Sequence, residues 1–311
     1  MNLSVVIPVY NEEKTIKLLC HHINNVLDKI EESAEIVVVD DGSTDGTYDF
    51  LKEMKKEIKE LKVIRLRANF GQTAALSAGF KHASGDIVIT MDGDLQNDPD
   101  DIPLLLEKMG EDYDVVSGWR RYRKDPWLTR KLPSYWANKI ISLITGVRLH
   151  DYGCTLKAYR REILENVELY GQMHRFIPAL AKWVGGRISE VVVTHHPRKH
   201  GKSKYGMGRT IRVILDLMTV KFLLSYSSSP IQIFGLIGMG AGGVGFVWTV
   251  YLIIQRLFFE VPLGGRPALL LAIMLIFLGV QFISMGLLGE LLIRIYHESQ
   301  KKPIYIIKDV L

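Results

Sequence analysis

Cysteine is almost missing from this sequence. Of its 311 residues only Cys20 and Cys154 are cysteines, far apart and without metal-ligand spacing. A disulfide framework and a thiolate metal centre are therefore excluded, and two free thiols suit a reducing compartment. Within residues 1–207 no strand end carries a Gly-x-Gly-x-x-Gly turn, which sets aside a nicotinamide enzyme. The opening Met1-Asn2-Leu3-Ser4 has no basic stretch before its short apolar run. No cleavable signal peptide is predicted, and the soluble part is expected to stay on the side of the membrane where it is made.

Charge is the most telling scarcity. Residues 231–293 hold only Arg256, Glu260, Arg266 and Glu290 as charged side chains. Within them 231–255 and 267–289 are free of charge, each long enough at about 1.5 Å per residue to cross the roughly 30 Å bilayer core. The short link 256–266 makes them a hairpin. Arg209, Arg212 and Lys221 before the pair, and Arg294, Lys301 and Lys302 after it, put the flanks on the cytoplasmic side. Gly238 and Gly242 have the small-xxx-small spacing that lets helices approach closely and invite a homo-oligomer. Residues 208–229 place Ile211, Ile214, Leu215, Met218 and Phe222 at helical spacing, as an amphipathic helix lying in the interface would; 129–146 is a second such segment. The expected division is 1–207 as a soluble catalytic domain, 208–229 as interfacial helix, 230–294 as two transmembrane helices and 295–311 as a cytoplasmic tail.

The first part of the chain is patterned differently. Short apolar runs at 3–9 (LSVVIPV), 35–39 (EIVVV), 63–66 and 86–91 alternate with segments of helical periodicity at 13–30, 44–58 and 71–83. That is the pattern of βαβ units: an α/β domain with a mostly parallel sheet and helices on both faces. In open sheets of this kind ligands sit at the carboxyl ends of the strands. The polar clusters fall there: Tyr10-Asn11-Glu12, Asp40-Asp41 and Asp92-Gly93-Asp94.

Asp92-Gly93-Asp94-Leu95-Gln96 places two carboxylates around a turn-permitting glycine. Hard divalent cations take such oxygens, Mg²⁺ usually through one or two carboxylates plus substrate phosphates. Bridging a diphosphate, the cation would neutralise charge on a departing nucleotide. Asp40-Asp41 suits either contact with a base or ribose or a helix start, with Ser43 or Thr44 as the cap. Two basic runs, 120–131 and 198–204, suit phosphate. Arg120, Arg130 and Ser134 are the candidates for an acceptor phosphate, and Arg198 and Lys202 for a basic loop near the diphosphate. The net charge of +5 would also suit nucleic acid, but the basic runs lack interleaved stacking aromatics, so no nucleic-acid partner is expected.

Taken in order, Val6-Ile7-Pro8-Val9-Tyr10-Asn11-Glu12, Val39-Asp40-Asp41-Gly42-Ser43-Thr44-Asp45-Gly46-Thr47, Asn69-Phe70-Gly71 and Met91-Asp92-Gly93-Asp94 resemble the inverting family-2 glycosyltransferases of GT-A fold. Asp151-Tyr152-Gly153-Cys154, Ala158-Tyr159-Arg160-Arg161 and the paired spans are similar to the polyisoprenyl-phosphate branch. The residue between the metal-site aspartates is commonly alanine in that family and here is Gly93. The resemblance implies that Pro8, Tyr10, Glu12, Asp40, Asp41 and Asp92 line the nucleotide pocket. Asp92 and Asp94, with Gln96, would hold Mg²⁺ or Mn²⁺, and Asp94 and Asp151 would be catalytic. It implies a UDP-sugar donor, a polyisoprenyl phosphate acceptor and residence in the plasma (inner) membrane with a cytoplasmic catalytic domain. Glucose from UDP-glucose onto undecaprenyl phosphate is the first expectation, with mannose or aminoarabinose transfer as alternatives. A processive polysaccharide synthase is the rival; two spans make a poor pore, and no Gln-x-x-Arg-Trp motif is present.

Overall fold

The structure is a computed structural model. It describes residues 2–30, 33–121, 138–139, 141–143, 145–167, 169, 173–197, 230–259, 262, 267–299 and 304–311. The chain divides into two compact units, Met1–Val220 with Pro303–Leu311 and Lys221–Lys302. The expected interfacial segment 208–229, and residues 129–137 of the second one expected at 129–146, lie outside the described residues.

The first unit is built on an eight-stranded sheet. Its elements are β1 (Leu3–Val9), α1 (Ile16–Leu27), β2 (Ala34–Asp40), α2 (Thr47–Glu57), β3 (Leu61–Leu66), α3 (Gln72–His82), β4 (Ile87–Thr90), α4 (Ile102–Gly110), β5 (Val115–Trp119), β6 (Lys157–Arg160), α5 (Arg161–Glu165), α6 (Ile177–Trp183), β7 (Ile188–Val192) and, from the far end of the chain, β8 (Ile307–Val310). The strands lie in the order β7-β5-β6-β4-β1-β2-β3-β8. The pairs β1–β2, β1–β4, β2–β3 and β5–β7 are parallel; β6 runs antiparallel to β4 and β5, and β8 antiparallel to β3.

β1 reads as a nearly unbroken apolar run because both of its faces are covered. Val5, Ile7 and Val9 meet the core formed with Ile16, Leu19, Cys20 and Ile23 of α1 and Leu51 and Met54 of α2. Those α1 residues recur three and four apart, one apolar stripe of an amphipathic helix. On the other face α3 lays Gly79 against Val6 and Val39. Successive strands step away from β1 in opposite directions, through β2 to β3 on one side and to β4 on the other. This reversal opens a crevice at the carboxyl ends of β1 and β4.

His174 is buried behind α3, its Nδ1 2.8 Å from Thr73 Oγ1. Burial, then the charges of Arg175 and Lys157, push its pKa down to about 3. The unfolded chain takes up the proton near pH 6.5 and the folded chain does not, so stability is lost as pH falls below that value. The slope approaches about 1.4 kcal/mol per pH unit. Thermal unfolding from pH 7 to 5 should therefore be less acid-sensitive in His174→Gln than in the wild type; equal slopes would discount this group.

The second unit is a helix pair, α7 (Pro230–Phe259) and α8 (Pro267–Ser299). Phe234–Phe259 and Pro267–Gly289 are long and apolar enough to cross a bilayer. Side chains such as Leu236, Phe246, Leu257 and Phe277 point outward and exposed, as lipid-facing residues do. The small-residue spacing is used within the pair. A Cβ on Gly238 would lie 2.6 Å from the Gly279 carbonyl oxygen, and one on Gly279 would lie 2.8 Å from Gly242 Cα, so the two backbones come as close as glycine allows.

The end of the chain differs from a free tail. After α8 it returns to the first unit as β8, pairing Ile64 with Val310, Arg65 with Asp309 and Leu66 with Ile307. Leu311 N donates to the Val63 carbonyl at 2.8 Å and Arg67 N to the Ile306 carbonyl at 2.9 Å. The pairing satisfies the otherwise open backbone groups of β3.

Candidate active site

The turns after β1 and β2 are stapled together at the crevice. Asn11, at φ 55°, donates its N–H to Ser43 Oγ at 2.9 Å and accepts from Thr44 N at 2.8 Å. Glu12 N donates to Thr47 Oγ1 at 2.9 Å. Pro8, Tyr10 and Glu12 are half-buried along this rim. Asp45, rather than Ser43 or Thr44, contacts the start of α2, accepting from Thr47 N at 3.1 Å. Ser43 is committed to Asn11 instead.

The two aspartates ending β2 diverge. Asp41 accepts from Phe70 N at 2.7 Å and Gly71 N at 2.8 Å, pulling the entry to α3 onto the turn. Burial outweighs these bonds and, with the adjacent Asp40 charge, raises its pKa. Asp40 is fully buried; Oδ1 accepts from Ser43 N at 3.0 Å, and Oδ2 faces Arg65 Nε at 3.4 Å. Gly42 follows the two aspartates at φ 69°, where a Cβ would come within 2.6 Å of the Ala68 carbonyl carbon. Only glycine fits this turn.

Asp92 and Asp94 follow β4. Asp92 Oδ1 accepts from Gln72 Nε2 at the start of α3, at 2.8 Å. Burial first, then the Asp94 charge, push the Asp92 pKa up to about 6, against the opposing influence of Thr155, Arg120 and Lys157. Asp94 is buried, its Oδ1 accepting from Gln96 N at 3.1 Å. Gly93 packs so closely that a Cβ would stand 2.8 Å from Val9 Cγ1, so alanine here would require Val9 to move.

Across the crevice Asp151 is buried and held in a fork. Arg120 Nε donates to Oδ2 at 2.8 Å, Nη2 to Oδ1 at 3.1 Å, and Gly153 N to Oδ1 at 3.1 Å. The carboxylate and guanidinium thus form one bidentate unit. Beneath it, buried Lys157 donates to the carbonyls of Tyr152 (3.4 Å) and Cys154. Burial lowers the pKa of this lysine, while the Cys154 and Asp151 charges oppose the shift. Asp92, Asp94, Arg120 and Asp151 thereby come together. Arg130, Ser134, Arg198 and Lys202 lie outside the described residues. The chain just before 198 is docked beside the acidic loop: His196 N donates to the Gln96 carbonyl at 2.9 Å, and its Nε2 lies 2.7 Å from Asp98 Oδ2.

Arg65, Gln72, Lys157 and His196 belong to no motif in the sequence. Lys157 alone leaves a trace there, as a lone cation in the apolar run Leu156-Lys157-Ala158-Tyr159.

The family model for glycosyl transferase family 2 matches residues 4–168. A dodecaprenyl-phosphate galacturonate synthase of Rhizobium johnstonii is 43% identical over 317 residues, spanning 100% of this chain and 93% of the relative. An undecaprenyl-phosphate 4-deoxy-4-formamido-L-arabinose transferase of Aeromonas hydrophila is 39% identical over 310 residues, spanning 99% and 93%. Among solved structures, the glucosyl-3-phosphoglycerate synthase of Mycobacterium tuberculosis in complex with Mn²⁺, UDP and phosphoglyceric acid superposes with a TM-score of 0.55 at 20% identity, covering 73% of this chain and 81% of that one. That likeness is one of fold, the GT-A fold expected from the motifs.

Proposed function

The chain belongs to glycosyl transferase family 2, and from that premise we propose that it transfers a sugar from a UDP-sugar to a polyprenyl phosphate, with inversion at the anomeric carbon. The observation that carries this is the rim at the reversal point of the sheet, where paired carboxylates, Asp92 and Asp94, face the Arg120–Asp151 unit. Pro8, Tyr10, Glu12, Asp40 and Asp41 frame the nucleotide side of the same crevice.

The sugar is better sought among those of the relatives than in glucose. Galacturonate and 4-deoxy-4-formamido-L-arabinose are the sugars named for the two relatives. L-Arabinopyranose is galactopyranose without C6, so both sugars share the galacto arrangement at C2, C3 and C4. Glucose is the C4 epimer. We therefore take a galacto-configured donor as the substrate class, which favours the aminoarabinose alternative over UDP-glucose.

The all-oxygen set of Asp92, Asp94 and Gln96 fits a hard divalent cation, Mg²⁺ or Mn²⁺. When bound it would screen the donor diphosphate. The acceptor needs no base. A phosphate monoester with a second pKa near ~6 is largely dianionic at neutral pH and already nucleophilic. The task left to the protein is to bring one anion to another. Arg120, oriented by Asp151, supplies fixed positive charge for this. Arg130 and Ser134 are proposed as further contacts for the acceptor phosphate, and Arg198 and Lys202 as contacts for the donor diphosphate. Because β8 belongs to the first unit, the chain leaves that unit before α7 and rejoins it after α8. A hairpin crossing the inner membrane satisfies this with both outer ends on the cytoplasmic face.

The test is a donor panel with purified protein, Mn²⁺ and a short polyprenyl phosphate. UDP release from UDP-galacturonate or UDP-4-deoxy-4-formamido-L-arabinose should exceed that from UDP-glucuronate or UDP-glucose by at least about tenfold. It should also require the polyprenyl phosphate. Equal use of UDP-glucose would remove the sugar assignment, and acceptor-independent release would remove the acceptor.

A further inference from the structure

We infer that Asp309, on β8, is a positioning residue for the donor-nucleotide pocket, acting through Tyr48 and Arg65 on the Asp40–Ser43 turn. The inference rests on the reading of that crevice as a nucleotide-sugar site. The contacts form a continuous path. Asp309 Oδ2 accepts the hydroxyl of Tyr48, a buried residue in the first turn of α2. Burial first, then this bond and the Asp309 charge, push the Tyr48 pKa up to about 12, so the phenol remains a donor at any working pH. The Arg65 guanidinium stacks 4.1 Å from the centre of the Tyr48 ring. Arg65 is also the cross-strand neighbour of Asp309 in the β3–β8 pair. From that perch its Nε lies 3.4 Å from Asp40 Oδ2, and its Nη2 donates to the Ser43 carbonyl at 3.5 Å. Ser43 Oγ in turn receives the N–H of Asn11, between Tyr10 and Glu12.

The energetic case turns on Asp40. Its Oδ2 is fully buried and has no hydrogen-bond partner among the described residues; the ion pair with Arg65 compensates that charge. A buried carboxylate deprived of its counter-charge is strongly destabilising. The turn therefore depends on Arg65 staying where it is. Arginine is long and has many rotamers. Here the Tyr48 ring holds it by a cation–π contact, and Asp309 holds Tyr48. Chain that lies beyond the apolar helix pair thus braces the rim that would receive the nucleotide.

The experiment uses the full-length protein in detergent with Mn²⁺. UDP affinity is read by calorimetry, kinetics by UDP release and folding by thermal unfolding. Asp309→Ala should weaken UDP binding about five- to tenfold and raise the donor KM in parallel, with kcat and acceptor KM changed by less than about twofold. Tyr48→Phe should do the same, and the double variant should be no weaker than either single one, because both cut the same path. Asp309→Asn keeps an acceptor for the Tyr48 hydroxyl and should restore affinity to within about twofold. Lys308→Ala, an exposed neighbour on the same strand, controls for general loosening of β8. Wild-type UDP affinity in Asp309→Ala, even with a lowered melting temperature, would overturn the inference and leave the glycosyltransferase reading intact. So would additive losses in the double variant. Failure of the wild-type protein to bind UDP would bring down that reading, and this inference with it.

Discussion

Asp92→Asn should raise the melting temperature of the metal-free protein while lowering turnover by at least about a thousandfold. Asp92 and Asp94 are held together in a poorly hydrated pocket, and burial with the Asp94 charge has already lifted the Asp92 pKa to about 6. With its pKa near 6 Asp92 is largely ionised at pH 7, and in the metal-free protein its repulsion from Asp94 is offset only in part by Arg120 and Lys157. Asparagine removes the charge and still accepts from Gln72 Nε2, which lies 2.8 Å from the retained oxygen. Each kcal/mol of relief should appear as about 2–4 °C in a domain of this size. The same change deletes the anionic oxygen a divalent cation needs. Mn²⁺ with UDP should raise the melting temperature of the wild type by mass action and leave the variant unmoved. A variant less stable than the wild type without metal, yet active with it, would show that the pair serves another purpose.

The second large effect is expected across the crevice. Asp151→Asn should cut turnover by at least about a hundredfold while UDP affinity in the presence of Mn²⁺ stays within about threefold. Both oxygens of Asp151 receive Arg120 donors, and Oδ1 also receives Gly153 N. An amide would turn an N–H₂ toward one arm of the guanidinium, donor against donor, and leave Arg120 without its counter-charge. The guanidinium would then swing away from the position where it can meet an incoming phosphate. Arg120→Lys should fail similarly, since an ammonium cannot reproduce the fork. The nucleotide side, built from the turns after β1 and β2, is not touched by either change. Single-turnover transfer and UDP calorimetry on the same samples separate the two outcomes. Retained turnover in Asp151→Asn would retire the role given to this pair.

These two sites differ in how far they could be read ahead of the structure. Asp92 and Asp94 announce themselves, because a short apolar strand followed by Asp-Gly-Asp is a local pattern. Asp151 stands out by its motif and Arg120 as a candidate for the acceptor phosphate, but their pairing could not be read. Arg120 stood among several cations between 120 and 131, and nothing in its own neighbourhood marks it as the one that forks onto a carboxylate 31 residues away. Asp40 and Asp41 look alike in sequence. In the fold one is sealed against Arg65 and the other collects two backbone N–H groups, a difference set by which way each side chain leaves the strand.

The sequence by itself determined the βαβ alternation, the placing of acidic clusters at strand ends and the two apolar helices. Each of these depends on hydrophobic periodicity or on the length of a charge-free run, properties of contiguous residues. Only the tertiary structure decided that β6 enters the sheet antiparallel, that Lys157 lies buried beneath the Asp151 turn and that the last residues return as β8. Ile307–Val310 is a short strand carrying Lys308 and Asp309, with no turn signal joining it to a partner. Its pairing with β3 spans more than two hundred residues of chain. Such contacts depend on which backbone edge is left open once the rest has folded, and a linear pattern carries no record of that.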